Sequence, residues 1–163
     1  MTDQEQKVHA ALALLGIAFE RYEHPPVASA IGAEQHWSGI DAAHTKNLFL
    51  RNQTRTQHYL LSMALLKRAN LRAVADQIGH GRLSFGTPER MMTYLGVTPG
   101  SVSPFGLIHD TTRAVRVYLD RDLKNSDRIS FHPNINTATL VLSFADFERF
   151  LASRGNSMGY VTV

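Results

Sequence analysis

Apolar positions recur along this chain in two rhythms. Val8, Leu12 and Leu15 repeat at helical spacing up to Gly16, and Thr2 with Glu5 three places on forms a capping-box pattern, so a first helix is predicted there. Ala18 to Tyr22 reads as a short strand, stopped by Pro25 and Pro26, which donate nothing to a ladder. Small residues, one tryptophan and two glycines between Ala28 and Ala43 predict short helical turns and a loop. Lys46 to Arg51 and Gln57 to Ala64 are apolar runs of strand length around the polar Asn52 to Thr56, the pattern of a hairpin. Asn70 then caps a helix with Leu71, Val74 and Ile78 on one face and Gly79 as its stop. Thr87-Pro88 opens another, with Met91, Met92 and Leu95 inward and Gly96 at its end, and Gly81 to Phe85 is a short extended piece between the two. Beyond the turn-rich Thr98 to Gly106, strands are predicted at Ala114 to Asp120, Arg128 to Phe131 and Ala138 to Ser143. Ser143 caps a last helix carrying Phe144, Phe147, Phe150 and Leu151 inward, ended by Gly155.

Strands that come in adjacent groups as well as alternating with helices predict an α+β fold. The expected form is a mixed sheet curled toward a barrel and flanked by helices, rather than strict βαβ winding. At 163 residues and 44% apolar, the chain is expected to form one domain spanning 1–163. The longest uncharged stretch, Met91 to His109, holds three glycines and two prolines, which no membrane-spanning helix carries at that density. The N-terminus lacks the basic start and apolar core of a secretory signal, and there are no cysteines, so a cytoplasmic location is expected and no thiolate site can form.

Charge is unevenly spread. Residues 1–45 hold two cations against six acids, whereas residues 46–90 hold eight cations against two. Arginine outnumbers lysine 13 to 4 over the chain, which suits planar contacts to phosphate. A block of this kind reads equally as an ordinary solvated face.

Eight histidines raise the question of a metal, yet none forms a His-x-x-x-His or His-Glu-x-x-His pattern on one helical face, and no metal or other cofactor is expected. A Gly-x-Ser-x-Gly elbow and a phosphate-cradling Gly-x-x-x-x-Gly-Lys-Ser/Thr loop are also missing. Three segments remain. Lys46-Asn47 opens an apolar strand and can aim an ammonium at an anion, or simply snorkel from an edge. Gly100-Ser101-Val102-Ser103-Pro104 can converge its backbone amides on an oxyanion, or be a plain turn. His132-Pro133-Asn134-Ile135-Asn136-Thr137 packs hydrogen-bonding side chains between two strands, as a binding turn or merely a tight one.

In this order, Lys-Asn-Leu-Phe-Leu, Leu-Gly-x-x-x-Gly-Ser-Val-Ser-Pro-Phe-Gly-Leu and Phe-His-Pro-Asn-x-Asn-Thr resemble the YbaK/prolyl-tRNA-synthetase-associated editing domains, free-standing prolyl-tRNA editing proteins above all. Glu23-His24-Pro25-Pro26-Val27 and the strand ending at Asp120 add to the likeness, which runs from about Tyr22 to Leu151. The resemblance implies a mixed, barrel-like sheet and a deacylase that hydrolyses mischarged aminoacyl-tRNA, alanine on the proline tRNA first among them. It places Lys46 on the phosphate of the terminal adenosine with Asn47 nearby, and backbone amides of Gly100 to Pro104 on the scissile carbonyl. His132 falls at the aminoacyl pocket, with Val27, Asn134, Asn136 and Thr137 among the substrate contacts, and the basic block, including Arg51, Arg55 and Arg82, lies along the acceptor stem. No side-chain base is implied; a water assisted by the substrate's ribose hydroxyl serves. Prolyl-tRNA synthetase is a further partner the resemblance admits. The stretch Ala28 to Trp37 departs from the glutamate-rich helix of relatives, and Ile108-His109-Asp110 departs from the expected Asn-Asp.

The chemistry fits the need. A synthetase pocket shaped for proline rejects the smaller alanine weakly, since a missing methylene is worth only about 1–3 kcal/mol, so a second, narrower site must correct the error. An ester is already activated, and positioning plus amide donors can suffice. The competing reading from the basic block is a noncatalytic tRNA or nucleic-acid binder, and a third is a metal-dependent hydrolase.

Overall fold

The structure is a computed structural model, and it describes residues 1–26 and 35–163. Helix α1 (Asp3–Leu14) is capped by the Thr2 hydroxyl, which accepts from the Glu5 N–H at 3.2 Å. The reciprocal half of the capping box does not form. Glu5 is fully buried, and its carboxylate instead takes two N–H groups of Arg21 and one His9 nitrogen, stapling α1 to the first strand. The Arg21 pair holds the Glu5 carboxyl below its usual pKa against the opposing cost of burial.

Eight strands follow among the described residues: β1 (Glu20–Glu23), β2 (Ala43–Asn52), β3 (His58–Ala64), β4 (Leu83–Phe85), β5 (Val115–Asp120), β6 (Arg128–Phe131), β7 (Ala138–Ser143) and β8 (Met158–Val161). Their order is β1-β7-β6-β2-β3-β5-β8, with β4 pairing β2. Helices α2 (Leu71–Ile78), α3 (Pro88–Leu95) and α4 (Phe144–Arg154) are each capped as the sequence predicts, by Asn70, Thr87 and Ser143, and each ends on a left-handed glycine. Met92 is the exception on α3: expected inward, it is 49% exposed, because Met91 and Leu95 already fill the inner stripe.

The main core joins Val117 and Leu119 of β5 to Phe131 and Leu140 of β6 and β7, so the two wings of the sheet face each other and the sheet curls about β2. Phe105, Phe131, Phe147 and Phe150 interlock inside this curl with ring centroids 4.5–5.8 Å apart. A second, smaller core lies on the other face of β2 and β3, where Leu50, Leu61 and Met63 pack under α2. Strand β8, which the pattern of positions did not suggest, adds in parallel to β5 and leaves the C-terminal run at a sheet edge.

Candidate active site

Strand β2 is the hub. One of its edges pairs with β3 from Thr45↔Ala64 to Arg51↔His58. The other pairs with β6 only at Ala43↔Ile129 and His44↔Ser130, and with β4 only from Leu50↔Phe85 onward. Between those ladders no described strand covers the edge, and the opening falls on Lys46 to Leu48. Side-chain alternation divides the neighbours in this stretch. Asn47 shares the inner face with Ser62, whose hydroxyl donates to its Oδ1. Lys46 shares the outer face with Met63 and Leu48. The two residues expected to act side by side therefore sit on opposite faces of one strand, at the same gap. Lys46 is half-buried and, among the described residues, forms no ion pair or hydrogen bond.

His132 leaves the end of β6, and extending the β2–β6 register brings it level with Lys46. Its Nδ1–H donates to the Ala138 carbonyl at 2.9 Å, which assigns the tautomer and leaves the Nε2 lone pair as acceptor. Burial pushes the pKa of His132 below the usual histidine value, and His24 adds to that push, outweighing the Ala138 carbonyl. Around it lies a cluster that no linear motif announced. The Trp37 ring is 5.8 Å from His132, 5.6 Å from His24, and stacked on His44 at 5.4 Å. His24 and His36 stack at 5.9 Å. His44 is held between the Ser130 hydroxyl and the Ile40 carbonyl, and His24 by Thr139 at 2.8 Å. These residues come from separate segments, so spacing gave no signal; the structure alone assembles them. Val27, the remaining expected contact in that region, lies outside the described residues, as do most of the departures from Ala28 to Trp37.

The Gly100 to Pro104 loop faces the other side of the His132 turn. Gly100 has φ +91°, and a Cβ placed on it would come 3.9 Å from Asn136 Nδ2. The Ser101 N–H donates to the Thr98 carbonyl at 3.0 Å, and Pro104 has none, so among the described residues the free amides are those of Gly100, Val102 and Ser103. Ser103 is fully buried, its hydroxyl accepting from the Phe105 N–H to start the turn Pro104–His109. Loop and turn border a shared notch of about 280 Å³, edged by Ser101, Asn134 and Asn136. Asn134 has φ +62° and is 4% exposed, with neither amide atom partnered. Such a group costs about 1–3 kcal/mol until something completes its hydrogen bonds. Thr137 is exposed and serves through its carbonyl, which accepts the His24 N–H at 3.0 Å.

The basic residues lie at the far end of β2. Arg51 is five residues beyond Lys46, roughly 17 Å along a strand. Arg55 (φ +60°) occupies the hairpin turn and Arg82 precedes β4; both are exposed, and with Arg51 they form no ion pair among the described residues. Beneath Arg51 and Arg90, His58 is buried against the Phe49 ring at 5.2 Å, and burial with those two cations keeps it neutral by lowering its pKa.

No described group of three or more histidine, aspartate or glutamate side chains has the arrangement of a metal site, and no helix among the described residues is long and apolar enough to cross a membrane. The aminoacyl-tRNA editing domain profile matches residues 24–150, a span holding every feature above. The chain is 38% identical over 159 residues to the prolyl-tRNA editing protein ProX of Acetoanaerobium sticklandii, covering 95% of this chain and 94% of that protein. It is 32% identical over 149 residues to prolyl-tRNA synthetase associated domain-containing protein 1 of Bos taurus, covering 89% and 86%. A crystal structure of a candidate trans-editing enzyme for prolyl tRNA synthetase superimposes with a TM-score of 0.75 at 22% identity, over 100% of this chain and 99% of that one.

Proposed function

This chain belongs to the aminoacyl-tRNA editing domain family, and from that premise we propose that it is a deacylase acting in trans on mischarged tRNA, alanyl-tRNA(Pro) first among its substrates. The observation that carries this reading is the 38% identity to an editing protein across nearly the whole of both chains. The reaction needs little machinery. Water adds to the ester carbonyl, the carbonyl oxygen takes up negative charge, the bond to the ribose oxygen breaks, and that oxygen leaves with a proton. The free amides of Gly100 and Val102 supply donors for the oxyanion, and the fully buried Ser103 holds the loop through its hydroxyl. Lys46, without a described counter-ion at the β2 gap, supplies a cation for the phosphate of the terminal nucleotide. His132, neutral with Nε2 as acceptor, suits the amino group of the aminoacyl moiety, and the ribose hydroxyl beside the ester orients the water. Arg51, Arg55 and Arg82 meet the acceptor stem.

Residues 1–163 act on this reading as one editing domain in the cytoplasm, where tRNA is charged, and prolyl-tRNA synthetase is the source of the mischarged substrate. The test is release of amino acid from alanyl-tRNA(Pro) and from prolyl-tRNA(Pro). Alanine is expected to be freed and proline retained. Salt-sensitive binding with neither ester cleaved would replace the deacylase with a noncatalytic RNA binder.

A further inference from the structure

The notch beside the Gly100 loop has a chemical character that ester hydrolysis does not account for. The side chains that edge it, Gln4, Met92, Thr98, Ser101, Asn134 and Asn136, are all uncharged. A phosphate finds no counter-charge in such a lining, whereas a base edge or a ribose hydroxyl needs none. Asn134 narrows the choice. It is nine-tenths buried, left-handed in its backbone, and carries a donor and an acceptor without partners on the same turn that presents His132. Gln4 is not equivalent, because its Nε2 is taken by the Gly96 carbonyl at 2.6 Å and its Oε1 by His109 at 3.2 Å.

A side-chain amide pairs with an amine beside a ring nitrogen, an edge that adenine and cytosine both present. The nucleotide bearing the ester is adenosine, and the notch adjoins the loop whose amides face that ester, so adenine is the base within reach. We infer that the notch is a base subsite in which Asn134 reads the amine edge of the substrate's terminal adenine, an inference that takes its substrate from the deacylase reading. Oδ1 accepts from the exocyclic amine and Nδ2 donates to the neighbouring ring nitrogen. Met92, 49% exposed at the rim, offers a thioether against the base plane. The half-buried Ile135 and Asn136 side chains turn aside to admit the base, a rotamer change of the kind binding commonly brings.

The experiment uses acceptor-stem minihelices ending in adenosine or in purine riboside, which lacks the amine, both uncharged for binding and alanylated for turnover. With the native protein, purine riboside is expected to weaken binding and kcat/KM about tenfold, the loss of one well-placed base contact. In Asn134→Gly the two substrates should become equal, both at the level of native protein with purine riboside. Glycine suits φ +62°, so the melting temperature should hold or rise, and a loss of discrimination cannot then be laid to unfolding. Retained preference for adenosine in Asn134→Gly, or no preference in the native protein, overturns the subsite. If the native protein binds with the Asn134-dependent preference yet leaves the ester intact, the subsite stands and the hydrolysis reading fails.

Discussion

The two faces of the curled sheet are built from the same strands to opposite ends. On the inner face, Phe105, Phe131, Phe147 and Phe150 pack on one another, on Phe144 and on aliphatic neighbours, and need no hydrogen bond to stay put. On the outer face near the β2 gap the rings are His24, His36, Trp37, His44 and His132, and His24, His44 and His132 are each fixed by a hydroxyl or carbonyl. Apolar rings store stability. Polar rings cost hydrogen bonds to hold, and what they give in return is orientation and an open lone pair. The difference teaches where to look for chemistry in a sheet with no metal motif or triad: on the face whose aromatic residues need to be tied down.

Changes on either face put that division to the test. Phe131→Ala should have the largest effect, costing about 3–5 kcal/mol of stability, as truncation of a buried phenylalanine does. Its KM, measured where the variant is still folded, should match the native value; a changed KM would break the division. Lys46→Ala should lower deacylation about 10²–10³-fold while the melting temperature stays put, the scale of losing one electrostatic contact in a reacting site. Native turnover in that variant would remove Lys46 from the reaction.

His132→Asn should cost about 10- to 100-fold in kcat/KM and alter the acid limb of the pH profile. The folded-state pKa of His132 is lowered, so the native ring stays neutral as pH falls through the ordinary histidine value near 6.5. The acid limb of native activity should therefore begin below about pH 6.5, and be absent from the variant. Over the same range stability should decline, because the unfolded chain takes up that proton first. An acid limb centred above about 7 would contradict the burial of this ring. Gly100→Ala should cost about 1–2 kcal/mol, since φ +91° strains any side chain, with nothing nearer than 3.9 Å to add a clash. The smallest effect belongs to Arg82→Ala: a few-fold rise in KM and a salt slope reduced by about one unit, with kcat unchanged. A kcat effect there would sharpen the comparison by extending the working surface to the hairpin end.

The elements were largely legible because their boundaries carry local chemistry. Asn70 and Gly79, Thr87 and Gly96, and Ser143 and Gly155 bracket their helices, and Arg128–Phe131 and Ala138–Ser143 are strands at the predicted bounds. β8 escaped because Met158–Val161 is four residues without alternation, and Gly155 before it reads only as the stop of the helix, although the β-branched end of the run was a clue. Of the candidate site, the linear motifs were visible while their mutual geometry was not. That Asn47 takes the inner face and Lys46 the outer follows only from the β3 register, and the grouping of His24, Trp37 and His44 about His132 only from the curl of the sheet. Glu5 illustrates the same limit: its position favours a local cap, but a half-buried guanidinium from β1 wins its carboxylate.

The gap in the β2 ladder also bears on how the protein keeps to itself. Bare backbone along a strand is a template on which another polypeptide can crystallise its own extended segment. Here that bare stretch is only Lys46 to Leu48 and carries a half-buried ammonium, so an intruding strand would have to cover a cation that has no counter-ion among the described residues. The lysine proposed to meet a phosphate would thereby also turn peptides away from the same opening.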